Sequence, residues 1–188
     1  MRKVLVIAYY FPPLGWSGVQ RTLKFAKYLR DFDWEPIVVT VGKTKFSILD
    51  QSLENEFPKD INIIRIDDIV LKDVTDAMKR QLKGYIEASM NFISDENLKQ
   101  LYEEEIEKIF SELRDLLLIP DGNAIWANSV IKKIRNKIDF NKIDVVYTTS
   151  GPYSAHIIGE YIKRKYSIPW IADFRDQWIN NQIGRAHV

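Results

Sequence analysis

Residues 3–41 read KVLVIAYYFPPLGWSGVQRTLKFAKYLRDFDWEPIVVTV, and the order of apolar runs and breaks in them decides the fold class. Lys3–Ala8 is an unbroken apolar run, the type buried on both faces of a parallel sheet. Tyr9–Gly18 is a loop with two prolines and two glycines. Ser17 is placed to cap the next helix, which is expected to run to about Arg30 with Val19, Leu23 and Ala26 along one face. Glu35–Val41 is the second strand. Strand, crossover helix and strand make a βαβ unit, and such crossovers are nearly always right-handed.

The same alternation continues. Ile61–Ile66 reads as a short strand, and about Val70 to Ile93 as helix and loop. Leu98–Leu117 reads as a helix, with Ile106, Ile109, Phe110, Leu113 and Leu117 at helical spacing. The run Glu103-Glu104-Glu105 marks its solvated face. Pro120-Asp121-Gly122 breaks the chain. Asn123–Ile138 is then a helix with Trp126, Val130, Ile131 and Ile134 as its buried face. Ile143–Thr148 is a strand, Ser150-Gly151-Pro152 a turn, Tyr153–Tyr166 a helix and Pro169–Asp173 the last strand. Strands alternating with helices predict an α/β fold, a doubly wound parallel sheet of Rossmann-like type.

Bulk properties exclude several classes. A length of 188 residues suits one α/β domain, or a domain and part of a second. With 46% hydrophobic and 28% charged residues, the chain has the proportions of a globular protein. The formal net charge of +1 gives no overall field toward nucleic acid. The chain has no cysteine, which excludes disulfides and cysteine-ligated zinc and allows a reducing cytosol. No apolar run approaches the roughly 20 residues of a membrane-spanning helix. The run after Arg2-Lys3 is too short for a signal peptide and meets Tyr9-Tyr10-Phe11-Pro12-Pro13 instead of a cleavage site. Ile183–Val188 (IGRAHV) reads as a non-native tail of the kind left by sequencing-adapter read-through. The expectation is a domain over residues 1–182, cut from a longer reading frame, with 183–188 set apart.

Ligands of open parallel sheets collect at the C-terminal strand ends, near the switch in strand order. Four segments lie there: Tyr9–Gly18, the turn after Val41, Thr148–His156 and Asp173–Trp178. In the first, Gly15, Trp16, Ser17 and Gly18 precede a helix N-terminus whose free N–H groups and dipole suit an anion or a hydroxyl-rich sugar; equally, the glycines shape only a long turn. In the second group, Ser150 sits in the turn and His156 about one turn into the helix. There its imidazole can act as donor, acceptor or proton carrier, or serve the structure alone. In the last, Asp173 and Asp176 flank Arg175, which can hold a carboxylate or phosphate bidentately, or orient Asp173 or Asp176; a surface ion pair is the plain alternative. Trp178 can stack on a sugar or fill core. Asp121 can cap a helix or meet a ligand. There is no HExxH and no Cys/His grouping, so no metal site is expected. A P-loop is missing, because Gly42-Lys43-Thr44 lacks the upstream glycine, and so is a GxSxG elbow.

Taken in order, VLVIAYYFPP, GWSGVQR, KYLRDFDWEPIVVT, PDGNAIWA, TTSGPYSAHIIG and IPWIADFRDQW resemble the N-terminal domain of GT-B glycosyltransferases of the family 4-like type, over nearly the whole chain to about Trp178. The resemblance implies half of a GT-B fold in a retaining enzyme. That enzyme moves a sugar from a nucleotide-sugar donor to a glycan or lipid-linked acceptor, with no metal and no cofactor. It implies an acceptor-side domain that faces a C-terminal donor-binding domain, whose Glu-containing motif this sequence does not contain. It sets Gly15–Gly18 near the donor diphosphate and His156 near the transferring sugar, with Asp173, Arg175 and Asp176 shaping the acceptor side. The loop departs from the commoner Gly-Gly form, with Trp16-Ser17 between its glycines. The chain alone is then expected to be inactive, in the cytoplasm or at the inner face of a membrane. Lys79–Tyr85 and Lys132–Lys137 could touch lipid peripherally; a solvated helix face is the preferred alternative. Nucleic acid is not an expected partner. A non-catalytic nucleotide- or sugar-binding Rossmann module and a GT-B sugar-nucleotide epimerase are the competing readings. An NAD-dependent dehydrogenase ranks last, because the glycine spacing is wrong.

Overall fold

The structure, a computed structural model, describes residues 1–15, 17–44, 48–68, 95–117 and 119–175. Trp16, the expected helix-and-loop stretch 70–93 with its 79–85 patch, Asp176, Trp178 and the 183–188 tail lie outside them.

Five strands form one sheet: β1 (Arg2–Ile7), β2 (Trp34–Val41), β3 (Asn62–Ile66), β4 (Val145–Thr149) and β5 (Trp170–Asp173). Their order is β3-β2-β1-β4-β5, and every pair is parallel. The central strand β1 pairs Leu5 with Ile37 on one side and with Val146 on the other. Leu5, Val6 and Ile7 are fully buried, as the unbroken apolar run requires of a strand covered on both faces. The chain is therefore an α/β, doubly wound, Rossmann-like domain. Among the described residues four helices connect the strands: α1 (Val19–Tyr28), α2 (Glu96–Leu117), α3 (Ala124–Ile134) and α4 (Ser154–Tyr166).

Alternation along the strands divides the core. Leu5, Ile7, Val39, Ile64 and Val146 pack with Trp126, Val130 and Ile134 of α3 and with Ile158 and Ile162 of α4. Val4, Val6, Val38 and Tyr147 form a second cluster with Ala26 of α1. Phe25 of α1 also meets Tyr147 edge-on, with ring centroids 5.3 Å apart. Two right-handed crossovers leaving β1 and β4 in opposite directions must cover opposite faces. The switch in strand order consequently lies between β1 and β4.

Three expectations need correction. Helix α1 begins at Val19 with Gly18 as its N-cap and no side-chain cap bond, so Ser17, which is exposed, does not cap it. Helix α2 has the expected periodicity, but Ile109 is 52% exposed and Ile106 and Phe110 are only half-buried. Periodicity reports that a helix has an apolar stripe, not that a sheet face is free to receive it. Strand β4 begins at Val145 instead of Ile143, because Phe140–Lys142 form a short 3-10 turn and Asp144 accepts from the Lys3 N–H at 2.6 Å before the ladder starts.

Trp126 is fully buried, and its Nε1 donates to the Ile66 carbonyl at the end of β3 at 3.1 Å. Replacing it with alanine removes a large side chain and leaves that carbonyl with the Gly42 N–H as its partner, at 2.9 Å. We expect Trp126→Ala to cost about 3–5 kcal/mol, against about 0.5 kcal/mol or less for Ile109→Ala, read as the urea midpoint at unchanged slope. Equal shifts for the two variants would contradict the assignment of the core to α3 and not to α2.

Candidate functional site

The loops after β1, β4 and β5 meet at the switch point through one side chain. Arg175 follows β5 and lies half-buried. Its backbone N–H donates to Ser150 Oγ at 2.8 Å, its Nε to the Ser150 carbonyl at 2.8 Å, and its Nη1 to the Gly18 carbonyl at 3.1 Å. Ser150 is fully buried and also donates its N–H to the Asp173 carbonyl at 2.8 Å. The next residue, Gly151, has φ +77°, a backbone region that L side chains resist, and a Cβ there would lie 2.9 Å from Arg175 Nη2. Turn and guanidinium are thus shaped to each other. Among the described residues Nη2 donates to nothing, and Arg175 has no carboxylate partner.

Asp173 is occupied elsewhere, so of the alternatives open to Arg175 in the sequence, orienting Asp173 is not the one the structure shows. Arg21, in the first turn of α1, places Nη1 at 2.8 and 2.7 Å from the two Asp173 oxygens. Tyr147 Oη donates to Oδ2 at 2.6 Å and Thr149 Oγ1 at 3.0 Å. Burial opposes the carboxylate, but the bonds from Tyr147, Arg21 and Thr149 outweigh it and hold the group below the usual range. The Tyr147 phenol is pushed up by burial and by Asp173. This is a closed ion pair on the α1 face, and β5 is tied to α1 by it.

On the other face lies His156, which is buried in the first turn of α4. Its Nδ1 is 2.7 Å from Thr148 Oγ1, and the Phe174 ring lies 4.2 Å away, centroid to centroid. Nε2 is buried with no hydrogen-bond partner among the described residues. Burial lowers its pKa below the ordinary histidine value, with Asp173 and Asp121 opposing. The Asp121 carboxylate caps α4: Oδ2 accepts the Ser154 N–H at 2.9 Å and Oδ1 the Ser154 hydroxyl. Oδ1 also accepts the Asn123 N–H at 3.0 Å, just before α3. Asp121 is therefore a helix cap, the first of its two sequence readings, although most of its effect falls on a distant helix.

The remaining glycine positions are less open. The Gly15 N–H donates to the Ile48 carbonyl at 2.9 Å, and a Cβ there would sit 2.9 Å from Asp50 Cβ. Its close approach is to the 48–50 segment. Gly18 is buried beside Arg175, and Ser17 is exposed. The turn after Val41 is likewise internally held, with the Lys43 N–H donating to Asp67 Oδ1 at 2.8 Å. Gly18, Ser150, His156 and Arg175 come together at one sheet edge, with Gly15 displaced toward β2 and β3. Sequence reasoning missed Arg21, Tyr147 and Thr149 as the partners of Asp173, and Thr148 and Trp170 behind His156. Only strand alternation, which puts Tyr147 and Thr149 on one face and Thr148 on the other, carried a hint of that division.

No group of three or more His, Cys, Asp or Glu among the described residues could hold a metal ion, and none of their helices is long and apolar enough to cross a membrane. Lys132, Lys133, Arg135 and Lys137 are exposed, and the first two lie in the last turn of α3, where cations favour the helix dipole.

No protein-family profile matches the chain, and no curated protein sequence does. Among solved structures, the C-terminal domain of a hydrogenase from Pyrococcus furiosus (residues 78–226) is similar to it at a TM-score of 0.44 and 12% identity, over 92% of this chain and 90% of that one. A likeness of that size carries no argument about function.

The lowered pKa of His156 has a signed consequence for stability. The unfolded imidazole takes up a proton near its ordinary value of about 6.5, while the folded one resists it to lower pH. The stability this gives is complete above the unfolded value and is lost as pH falls through the folded one. Melting temperature is expected to fall from about pH 7.5 to about pH 5 more steeply in the native chain than in His156→Gln. Parallel curves would show that the imidazole is not resisting protonation.

Proposed function

We propose that this domain is the acceptor-side half of a retaining glycosyltransferase that uses a nucleotide-sugar donor and a glycan or lipid-linked acceptor. The ordered motif set supports the reading, and the observation that carries it is the Arg175 guanidinium. It is fixed by two backbone carbonyls at the β1/β4 switch point, and its Nη2 donates to nothing among the described residues.

Sugar transfer leaves negative charge on the departing diphosphate, and catalysis then depends on fixed donors already aimed at it. Two helix N-termini open on the crevice, and they differ. That of α4 is occupied by the Asp121 carboxylate, which repels an anion. That of α1 has no side-chain cap and no acidic residue in its first turn. The diphosphate is accordingly assigned to Gly18, the first turn of α1 and Arg175 Nη2. His156 is assigned to the transferring sugar on the opposite face of the crevice. Ser150 acts through Arg175, and Asp173 through the placement of β5 against α1. A donor-binding domain would close the other side. Peripheral contact with a membrane, at the cytoplasmic face, would bring a lipid-linked acceptor within reach.

Calorimetric titration with nucleoside diphosphates and their sugars tests the assignment. Removing a charge-assisted donor should weaken binding by about 10- to 100-fold in Arg175→Ala. Arg175→Lys should not restore it, since one ammonium cannot hold both carbonyls and an anion. Unchanged affinity in Arg175→Ala would remove the observation on which the reading stands. Product analysis on a chain that includes the donor-binding half separates the competitors: a transferred sugar supports this reading, an epimerised donor the epimerase, and a donor bound but unaltered a binding module.

A further inference from the structure

Thr148, in β4, stands between two ring nitrogens. Its Oγ1 lies 2.8 Å from Trp170 Nε1 and 2.7 Å from His156 Nδ1. An indole N–H can only donate, so Thr148 accepts it. The hydroxyl still has its own proton to give, and among the described residues the acceptor within reach is His156 Nδ1. We infer that the chain Trp170 to Thr148 to His156 locks the imidazole as its Nε2–H tautomer, so that His156 meets a ligand as a hydrogen-bond donor and not as a base.

The opposite arrangement is worse by one buried group. If Nδ1 carried the proton and donated to Thr148, the threonine O–H would have no acceptor and the buried Nε2 lone pair would have no donor. In the inferred arrangement only the Nε2–H is left without a partner. Burial also keeps the ring neutral, as a single-tautomer relay needs. The Phe174 ring packs against the imidazole and limits its rotation.

Packing protects the first link. Gly159 lies three residues beyond His156 on α4, facing Trp170. A Cβ there would strike Trp170 Nε1, and would lie 2.6 Å from its Cε2 and 2.7 Å from Thr148 Cγ2. The missing side chain makes room for the indole N–H to reach Thr148. Thr148 and Trp170 are thus positioning residues: they set what His156 offers without facing the ligand themselves. The group that completes the site at Nε2 must bring an acceptor lone pair, as a sugar hydroxyl does. That last step rests on the sugar-transfer reading, whereas the tautomer does not.

Long-range proton–nitrogen correlation spectra of the 188-residue chain at neutral pH test the relay without any ligand. His187→Gln assigns the His156 signals. The expected spectrum has Nδ1 unprotonated and Nε2 protonated. Thr148→Val should lose this single tautomer, Thr148→Ser should keep it, and Gly159→Ala should lose it by displacing the indole. A native chain with its proton on Nδ1, or with averaged nitrogens, overturns the inference. So does a Thr148→Val spectrum identical to the native one. If Thr148→Val fails to fold, the native and Thr148→Ser spectra decide. A correct tautomer in a chain that binds no nucleoside diphosphate or its sugar would count against the sugar-transfer reading and leave the relay standing. The wrong tautomer in a chain that binds one would do the reverse.

Discussion

The bonds from Arg175 Nε to the Ser150 carbonyl and from Nη1 to the Gly18 carbonyl are the constraint on which the candidate site depends. Parallel strands with right-handed crossovers oblige the connections after β1 and β4 to part toward opposite faces. A crevice opens wherever such a parting occurs. Arg175 crosses it, holding the N-cap of α1 and the turn before α4 at one separation. The same bonds orient the guanidinium, leaving Nη2 as its free donor among the described residues.

The two sides of the crevice are electrostatically unlike, although both begin at helix N-termini. Asp121 neutralises the start of α4 and ties it to the start of α3. Among the described residues no carboxylate caps α1: its N-cap carbonyl accepts from Arg175, and Arg21 in its first turn is paired with Asp173. One edge therefore favours an anion, and the other a neutral group. His156, on the second side, is kept neutral by burial and is supported by Thr148 and Trp170.

Much of the architecture was legible because it rests on local patterns. The apolar run of β1, the stripe Val19-Leu23-Ala26 and the breaks at Pro120-Asp121-Gly122 and Ser150-Gly151-Pro152 each follow from spacing or backbone chemistry, and each falls where the spacing placed it. Pairings across long sequence separations were not legible. No pattern in the sequence says that Asp173 goes to Arg21 and leaves Arg175 for two carbonyls. The Gly15 amide was open to a ligand on local grounds, until the 48–50 segment is seen to fold back on it. Ile109 shows the same limit from the other side: amphipathic spacing was correct, and burial did not follow from it.

Which helix start receives an anion decides between the two sides of the crevice. Titrating the isotope-labelled chain with a nucleoside diphosphate while following amide and Arg175 Nε signals reports this position by position. The largest shifts are expected at Gly18, at the first turn of α1 and at Arg175 Nε, with Ser154 nearly unchanged. Shifts centred on Ser154, or on the opposite rim at Phe32 and Trp34, would contradict the assignment to α1.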